Sequence, residues 1–99
     1  MPIIADGNWK AETKIVANWT IVVYPNPTQD GLLRIDITGE EIPRGALLEI
    51  YSTGGNLVKK VTNISTTNTV NIFSQPAGSY TMRIIFDKEN VVVWKVIKN

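Results

Sequence analysis

The chain contains no cysteine and no histidine. Without cysteine, no disulfide can hold the fold, and thiol chemistry is excluded. Without histidine, the commonest metal ligand and the commonest general base near neutral pH are both missing, so no metal or cofactor site is expected. Blocks of charge are also missing. Ten Lys and Arg face nine Asp and Glu, for a net charge of +1, and like charges pair only as Glu40-Glu41 and Lys59-Lys60. That balance gives no electrostatic reason to seek nucleic acid, an anionic membrane or an acidic substrate. No run approaches the roughly 20 apolar residues of a membrane helix, so no membrane insertion is expected. The N-terminus lacks a basic stretch followed by an apolar core, so no signal peptide is visible. No helical periodicity holds for even three turns.

What is present is a series of short apolar runs divided by turn residues. Ninety-nine residues with 43% hydrophobic and 19% charged side chains describe one globular domain. Asp6-Gly7-Asn8 is a turn signal. Trp19 to Tyr24 is β-branched and aromatic and reads as a strand. Pro25-Asn26-Pro27 ends it, because proline gives a sheet no N–H. Thr28 to Gly31 turns, with Gly31 suited to positive φ, and Leu33, Ile35 and Ile37 then alternate with Arg34 and Asp36. Ala46, Leu48 and Ile50 form the inward face of the next strand. Gly54-Gly55 suits a hairpin with a mirror-image turn, and Leu57 to Thr62 returns. Ile64 to Thr69 reads as loop, and Val70 and Ile72 as a short strand. Pro76-Ala77-Gly78 breaks the chain before Tyr80, Met82, Ile84 and Phe86 alternate with polar residues. Asp87 to Asn90 makes a turn. Val91 to Ile97 is the most apolar strand, and a central position, or cover on both faces, is expected of it. The sum is an all-β, immunoglobulin-like β-sandwich of about seven antiparallel strands, with turn signals every 8–12 residues or so. Residues 1–19 read as a linker, an upstream segment or a first strand.

Chemistry is thinly represented. Ser52 or Ser79 with Lys59 or Lys60 has no motif spacing that would make a serine–lysine pair. Asp30, Asp36, Glu40, Glu41 and Glu49 are better read as solvated turn and strand-face residues than as paired catalytic carboxylates. Asp87, Glu89 and Asn90 lack the length and oxygen density of a calcium loop. Gly54-Gly55 has no lysine or helix after it to cradle phosphate. Of the tryptophans, Trp94 reads as core, whereas Trp9 and Trp19 are open to sugar stacking. No enzyme is expected.

The turn residues carry a resemblance. Tyr24-Pro25-Asn26-Pro27, then Leu48 to Val58 around Gly54-Gly55, then Pro76-Ala77-Gly78-Ser79-Tyr80, then Lys95-Val96-Ile97-Lys98-Asn99 follow one another in order. This order resembles the type A C-terminal sorting domains of the type IX (Por) secretion system in Bacteroidetes, over about residues 20 to 99. Two positions differ: the hairpin has Asn56 where the family often has lysine, and Gln75 precedes Pro76 where leucine is common.

The resemblance implies a non-catalytic export address carried behind a cargo domain. The cargo would cross the periplasm, pass the type IX translocon and reach the cell surface or the medium. A sortase-like surface peptidase would usually remove the domain, with residues before about 20 as the place of cutting. Any secretion signal would then lie upstream in a parent protein. A receptor could read a folded surface made of Pro25, Asn26, Pro27, Gly54, Gly55 and the last strand, or could pair with the edge of that strand. Lys95, Val96, Ile97 and Lys98 are the recognition candidates there, the lysines because charge in an apolar strand is hard to explain by packing. Removing Lys95 to Asn99 is expected to spare the sandwich. Gly31, Pro76, Gly78 and Tyr80 are assigned to turns. The alternatives are a carbohydrate-binding or adhesive module, and a passive spacer, which a chain stopping at Asn99 fits less well.

Overall fold

Alternation with a period of two builds both layers. The computed structural model describes residues 10–99, so the Asp6-Gly7-Asn8 turn and Trp9 lie outside it. Eight strands follow in order: β1 (Lys10–Val16), β2 (Trp19–Asn26), β3 (Leu32–Gly39), β4 (Leu47–Ser52), β5 (Leu57–Thr62), β6 (Thr67–Asn71), β7 (Gly78–Ile85) and β8 (Val91–Lys98). They form two four-stranded sheets, β1-β2-β3-β6 and β5-β4-β7-β8, antiparallel throughout. This is the all-β sandwich expected, with β1 as an eighth strand.

The inward side chains of the two sheets make one core. Ile21, Val23, Leu33, Ile35 and Val70 from the first sheet meet Leu48, Ile50, Met82, Ile84 and Trp94 from the second, all essentially inaccessible. Each aliphatic side chain buried this way stabilises the fold by about 1.5–3 kcal/mol. Trp19 belongs to this core and is no sugar platform. It is buried, lies flat on Phe86 at 4.3 Å between ring centroids, and donates its indole N–H to the Glu40 carbonyl at 3.1 Å.

Three local expectations need correction. β6 begins inside the stretch read as loop, at Thr67. Its inward position is Asn68, which is buried by giving its amide to the carbonyls of Ile35 (3.2 Å) and Ser65 (2.7 Å) and accepting from the Ser65 N–H (2.9 Å). A satisfied amide thus stands where the alternation asks for an apolar residue. The Gly54-Gly55 hairpin has a three-residue loop, not a mirror-image turn. The Gly55 N–H donates to the Ser52 carbonyl at 2.9 Å, and only Gly55 has positive φ, at 87°. Finally, β8 is an edge strand covered on one face. Val92, Trp94 and Val96 point inward, while Val93 and Lys95 are exposed. Its apolar run marks an edge held by partners outside the sheet.

Gly31 positions the start of β3 against the loop after β6. Its φ is 97°, its carbonyl accepts the Ile72 N–H at 2.9 Å, and a Cβ there would lie 2.9 Å from the Ile72 carbonyl carbon. Gly31→Ala therefore meets both backbone strain and a backbone clash. Urea unfolding is expected to show a loss of about 2 kcal/mol; a change under about 0.5 kcal/mol, the range of neutral surface substitutions, would contradict this account.

Candidate functional site

The residues singled out by the sequence converge on one end of the sandwich. The ladder places Ser52, Tyr80 and Val96 on one rung, so the β4–β5 hairpin, the start of β7 and the end of β8 share an end of the second sheet. Thr53 Oγ1 donates to the Ser79 carbonyl at 3.0 Å and ties the hairpin to β7. The Tyr80 hydroxyl donates to the Pro76 carbonyl and lashes the Pro76-Ala77-Gly78 turn onto that strand.

The loop after β2 joins this end from the other sheet. Pairing with β3 stops at Tyr24, whereas pairing with β1 runs on to Asn26. Both proline peptides, Tyr24-Pro25 and Asn26-Pro27, are cis. Asn26 is buried, and its side-chain amide does the work of a neighbouring strand. Nδ2 donates to the Lys95 carbonyl at 2.8 Å and Oδ1 accepts the Ile97 N–H at 3.0 Å. The same Nδ2 donates to Glu12 Oε1 at 2.8 Å.

Thr28 continues the join with its backbone. Its N–H donates to the Ile97 carbonyl at 2.8 Å, and its carbonyl accepts the Asn99 N–H at 2.9 Å, making a parallel bridge to Lys98. Its hydroxyl, fully buried, donates to the Leu32 carbonyl at 2.9 Å and accepts the Gly31 N–H at 3.1 Å.

The two lysines of the last strand differ in kind. Lys98 turns its ammonium onto the carbonyls of Ile72 (3.3 Å), Phe73 (2.8 Å) and Gln75. Those contacts give it a structural role that packing of apolar residues would not have suggested. Lys95 is exposed, and its side chain makes no hydrogen bond among the described residues. Val96 is fully buried, so the last residues are part of the core and the clamp. Their removal cannot spare the sandwich as expected. Pro25, Pro27 and Ile97 are half-buried, and Gly54 and Gly55 are exposed.

Three contributors were not visible in the sequence. Glu12 Oε1 accepts both the Asn26 amide and the Trp94 indole N–H, the latter at 2.7 Å. Lys14 reaches the Val93 carbonyl at 2.7 Å and lies 5.0 Å from the centre of the Trp94 ring. Thr28 is the third. The only cue for the first two is alternation in β1: Glu12, Lys14 and Val16 pair with Val23, Ile21 and Trp19, whose side chains face inward.

Shallow, open depressions border this end. One of 340 Å³ is lined by Tyr24, Pro25, Pro27, Gln29 and Asp30. One of 440 Å³ follows the seam of β1 and β8 past Glu12, Lys14 and Lys95, and one of 280 Å³ crosses Thr53, Ser79, Thr81 and Val93. Such surfaces suit a macromolecular partner better than an enclosed small molecule.

The candidate chemical groups are spent elsewhere. Asp30 caps the Leu32 N–H at 3.0 Å, Asp36 accepts from the Tyr24 hydroxyl at 2.9 Å, and Glu49 faces Arg83 at 3.7 Å. Glu49 also accepts from the Tyr51 hydroxyl, which holds that phenol above its ordinary pKa. Asp87 is held below the usual carboxylate range, first by the Asn90 side-chain amide and then by the Glu89 N–H. This is a hairpin turn, not a cation loop. Among the described residues, no group of three or more His, Cys, Asp or Glu could hold a metal ion.

Residues 22–99 match the model of a family described as the secretion system C-terminal sorting domain. No curated protein matches the chain. The match begins within β2, so β1 lies outside it.

The Asn26 amide is the tie between sheets, and Asn26→Ala leaves the Ile97 N–H and the Lys95 carbonyl without it. We expect urea unfolding to show a loss of at least about 2 kcal/mol. Amide exchange at Ile97 should accelerate more than at Met82 in the centre of β7. Equal protection of Ile97 in both proteins would refute the tie.

Proposed function

Because the chain belongs to the secretion system C-terminal sorting domain family, we propose that the joined end of its sandwich is the surface that the type IX translocon reads. The domain is a sorting signal for type IX secretion, and that signal implies export to the cell surface or the extracellular space. Transit through the periplasm, the translocon as direct partner, and removal by a sortase-like surface peptidase are the finer parts of this reading. The domain is bound and moved and performs no reaction.

One observation carries the proposal. Segments around positions 26, 54, 78 and 96, dispersed along the chain, come to one end. Within that end Lys95 offers an exposed ammonium not spent on the fold. Pro25 and Pro27 offer an apolar rim on the loop whose Asn26 holds the Lys95 carbonyl, and the Gly54-Gly55 hairpin stands two strands away. Lys98, by contrast, acts by holding the last strand in place.

β1 supports a folded unit that reaches upstream of residue 20. Its Glu12 reaches Trp94 and Asn26, so the unit begins at or before Lys10. A cut inside a paired strand would part β1 from the sandwich, so on this reading the cut falls ahead of β1, still among the residues before about 20.

The test fuses the whole chain behind a periplasmic reporter in a type IX-competent host. Lys95→Ala is expected to lower surface reporter at least tenfold, while thermal stability of the purified chain stays within about 0.5 kcal/mol. Lys60→Ala, an exposed lysine on the opposite edge strand β5, is the control and should export normally. Unchanged export of Lys95→Ala would remove this end from recognition.

A further inference from the structure

Four strands are sheet edges: β1 and β6 in one sheet, β5 and β8 in the other. Natural edges are kept short or charged, because their unpaired backbone invites another strand. β6 is five residues long, β5 carries Lys59 and Lys60, and β1 carries Lys10, Glu12 and Lys14. β8 is eight residues long and opens on three consecutive valines, with Val93 51% exposed. Lys98 is folded away onto loop carbonyls, so Lys95 alone defends that edge from within the strand.

Ladder parity tells which backbone groups face out. Ile97 sends its N–H to Asn26 and accepts the Thr28 N–H, so its backbone points away from β7. In an antiparallel ladder the same then holds for Lys95, Val93 and Val91. Below Lys95 the row is filled by Asn26 and Thr28. Above it, among the described residues, the Val93 carbonyl is held only by the ammonium of Lys14, itself an exposed residue. The N–H groups of Val93 and Lys95 have no partner among the described residues.

We propose that Val91–Lys95 is the acceptor edge for an extended segment of the receptor, which adds a fifth strand to β5-β4-β7-β8 and displaces Lys14 from Val93. This rests on the reading of this end as the recognised surface and names how it is read. Five residues span about 17 Å at the usual rise. Charge states the chemistry of the occupant. Lys14 and Lys95 flank the open stretch with positive charge, while the Glu12 carboxylate is already engaged by Trp94 and Asn26. The occupant carries a carboxylate opposite Lys95 and an apolar side chain opposite Val93.

Val93→Pro tests it in the same full-chain reporter fusion. The Val93 N–H points off the sheet, so proline deletes no ladder bond at this edge. We expect at least a tenfold loss of surface reporter for Val93→Pro and for Lys95→Glu. Val93→Thr, which keeps the N–H, should stay within about twofold of the parent. A folded Val93→Pro protein exported normally, with Lys95→Ala still defective, would overturn strand addition and leave a side-chain surface. Normal export of both would overturn the recognised end as well. A direct measurement on the unaltered chain guards against misfolding of the proline variant. The blocked heptapeptide Thr-Val-Glu-Val-Val-Val-Thr, which sets Glu opposite Lys95 and Val opposite Val93 on one face, should slow amide exchange at Val93 and Lys95, and its counterpart with lysine in place of Glu should not. Absence of protection at those two amides with millimolar acidic peptide would refute the proposal.

Discussion

A single side-chain amide makes this end of the molecule possible. Asn26 offers one donor and one acceptor in the spacing of a peptide group, and the last strand takes both. Proline on either side brings no N–H of its own to satisfy, so the loop can enter a buried seam at little polar cost. Once Asn26 is seated, Thr28 lies within backbone reach of Ile97 and Asn99. Gly31 then has to pass close to Ile72, where only a hydrogen fits.

Lys98 closes the arrangement from the other side. A loop that curls to present three carbonyls toward one point repels itself unless a cation sits there, and the ammonium supplies three donors for them. The apolar core does not specify any of this. Burial of Ile21, Leu48 or Met82 is non-directional and does not by itself place the loops at this end. The polar seam of Glu12, Asn26, Thr28 and Lys98 selects one register between the layers, because any other leaves buried donors and acceptors unpaired.

Much of the sandwich was legible because its strands obey a strict alternation. Leu33-Ile35-Ile37 and Tyr80-Met82-Ile84-Phe86 are half-buried strands on sight, and the turn residues between them are where the chain turns. The failures have one physical cause: alternation by composition counts a satisfied polar group as exposed. Asn68 hid the start of β6 in this way, and half-buried Glu12 hid the inward face of β1. β8 failed in the opposite sense. Its outward valines imitate a strand covered on both faces, yet one face meets solvent. The site was half legible. The turn motifs named the segments, but contacts 69 and 71 residues apart in sequence, from Asn26 to Lys95 and Ile97, belong to tertiary structure alone.

A surface assembled from such distant segments has a consequence for a sorting signal. An unfolded chain contains every motif but none of the surface, since Lys95 and the Pro25–Pro27 rim are brought together by Asn26 and Thr28. If the proposed end is the address, it can be read only from a domain whose two sheets have docked. The open edge of β8 sharpens the point. A bare edge is a liability in an isolated domain, and β1 shields it with one lysine and one carboxylate, where a full strand would seal it. That degree of cover fits an edge meant to be exchanged: Lys14 holds the Val93 carbonyl through one solvent-exposed hydrogen bond, of the kind that contributes about 0.5–1.5 kcal/mol net. An incoming strand offering several backbone hydrogen bonds outweighs it, while the buried ties at Asn26 and Thr28 keep the rest of the domain intact.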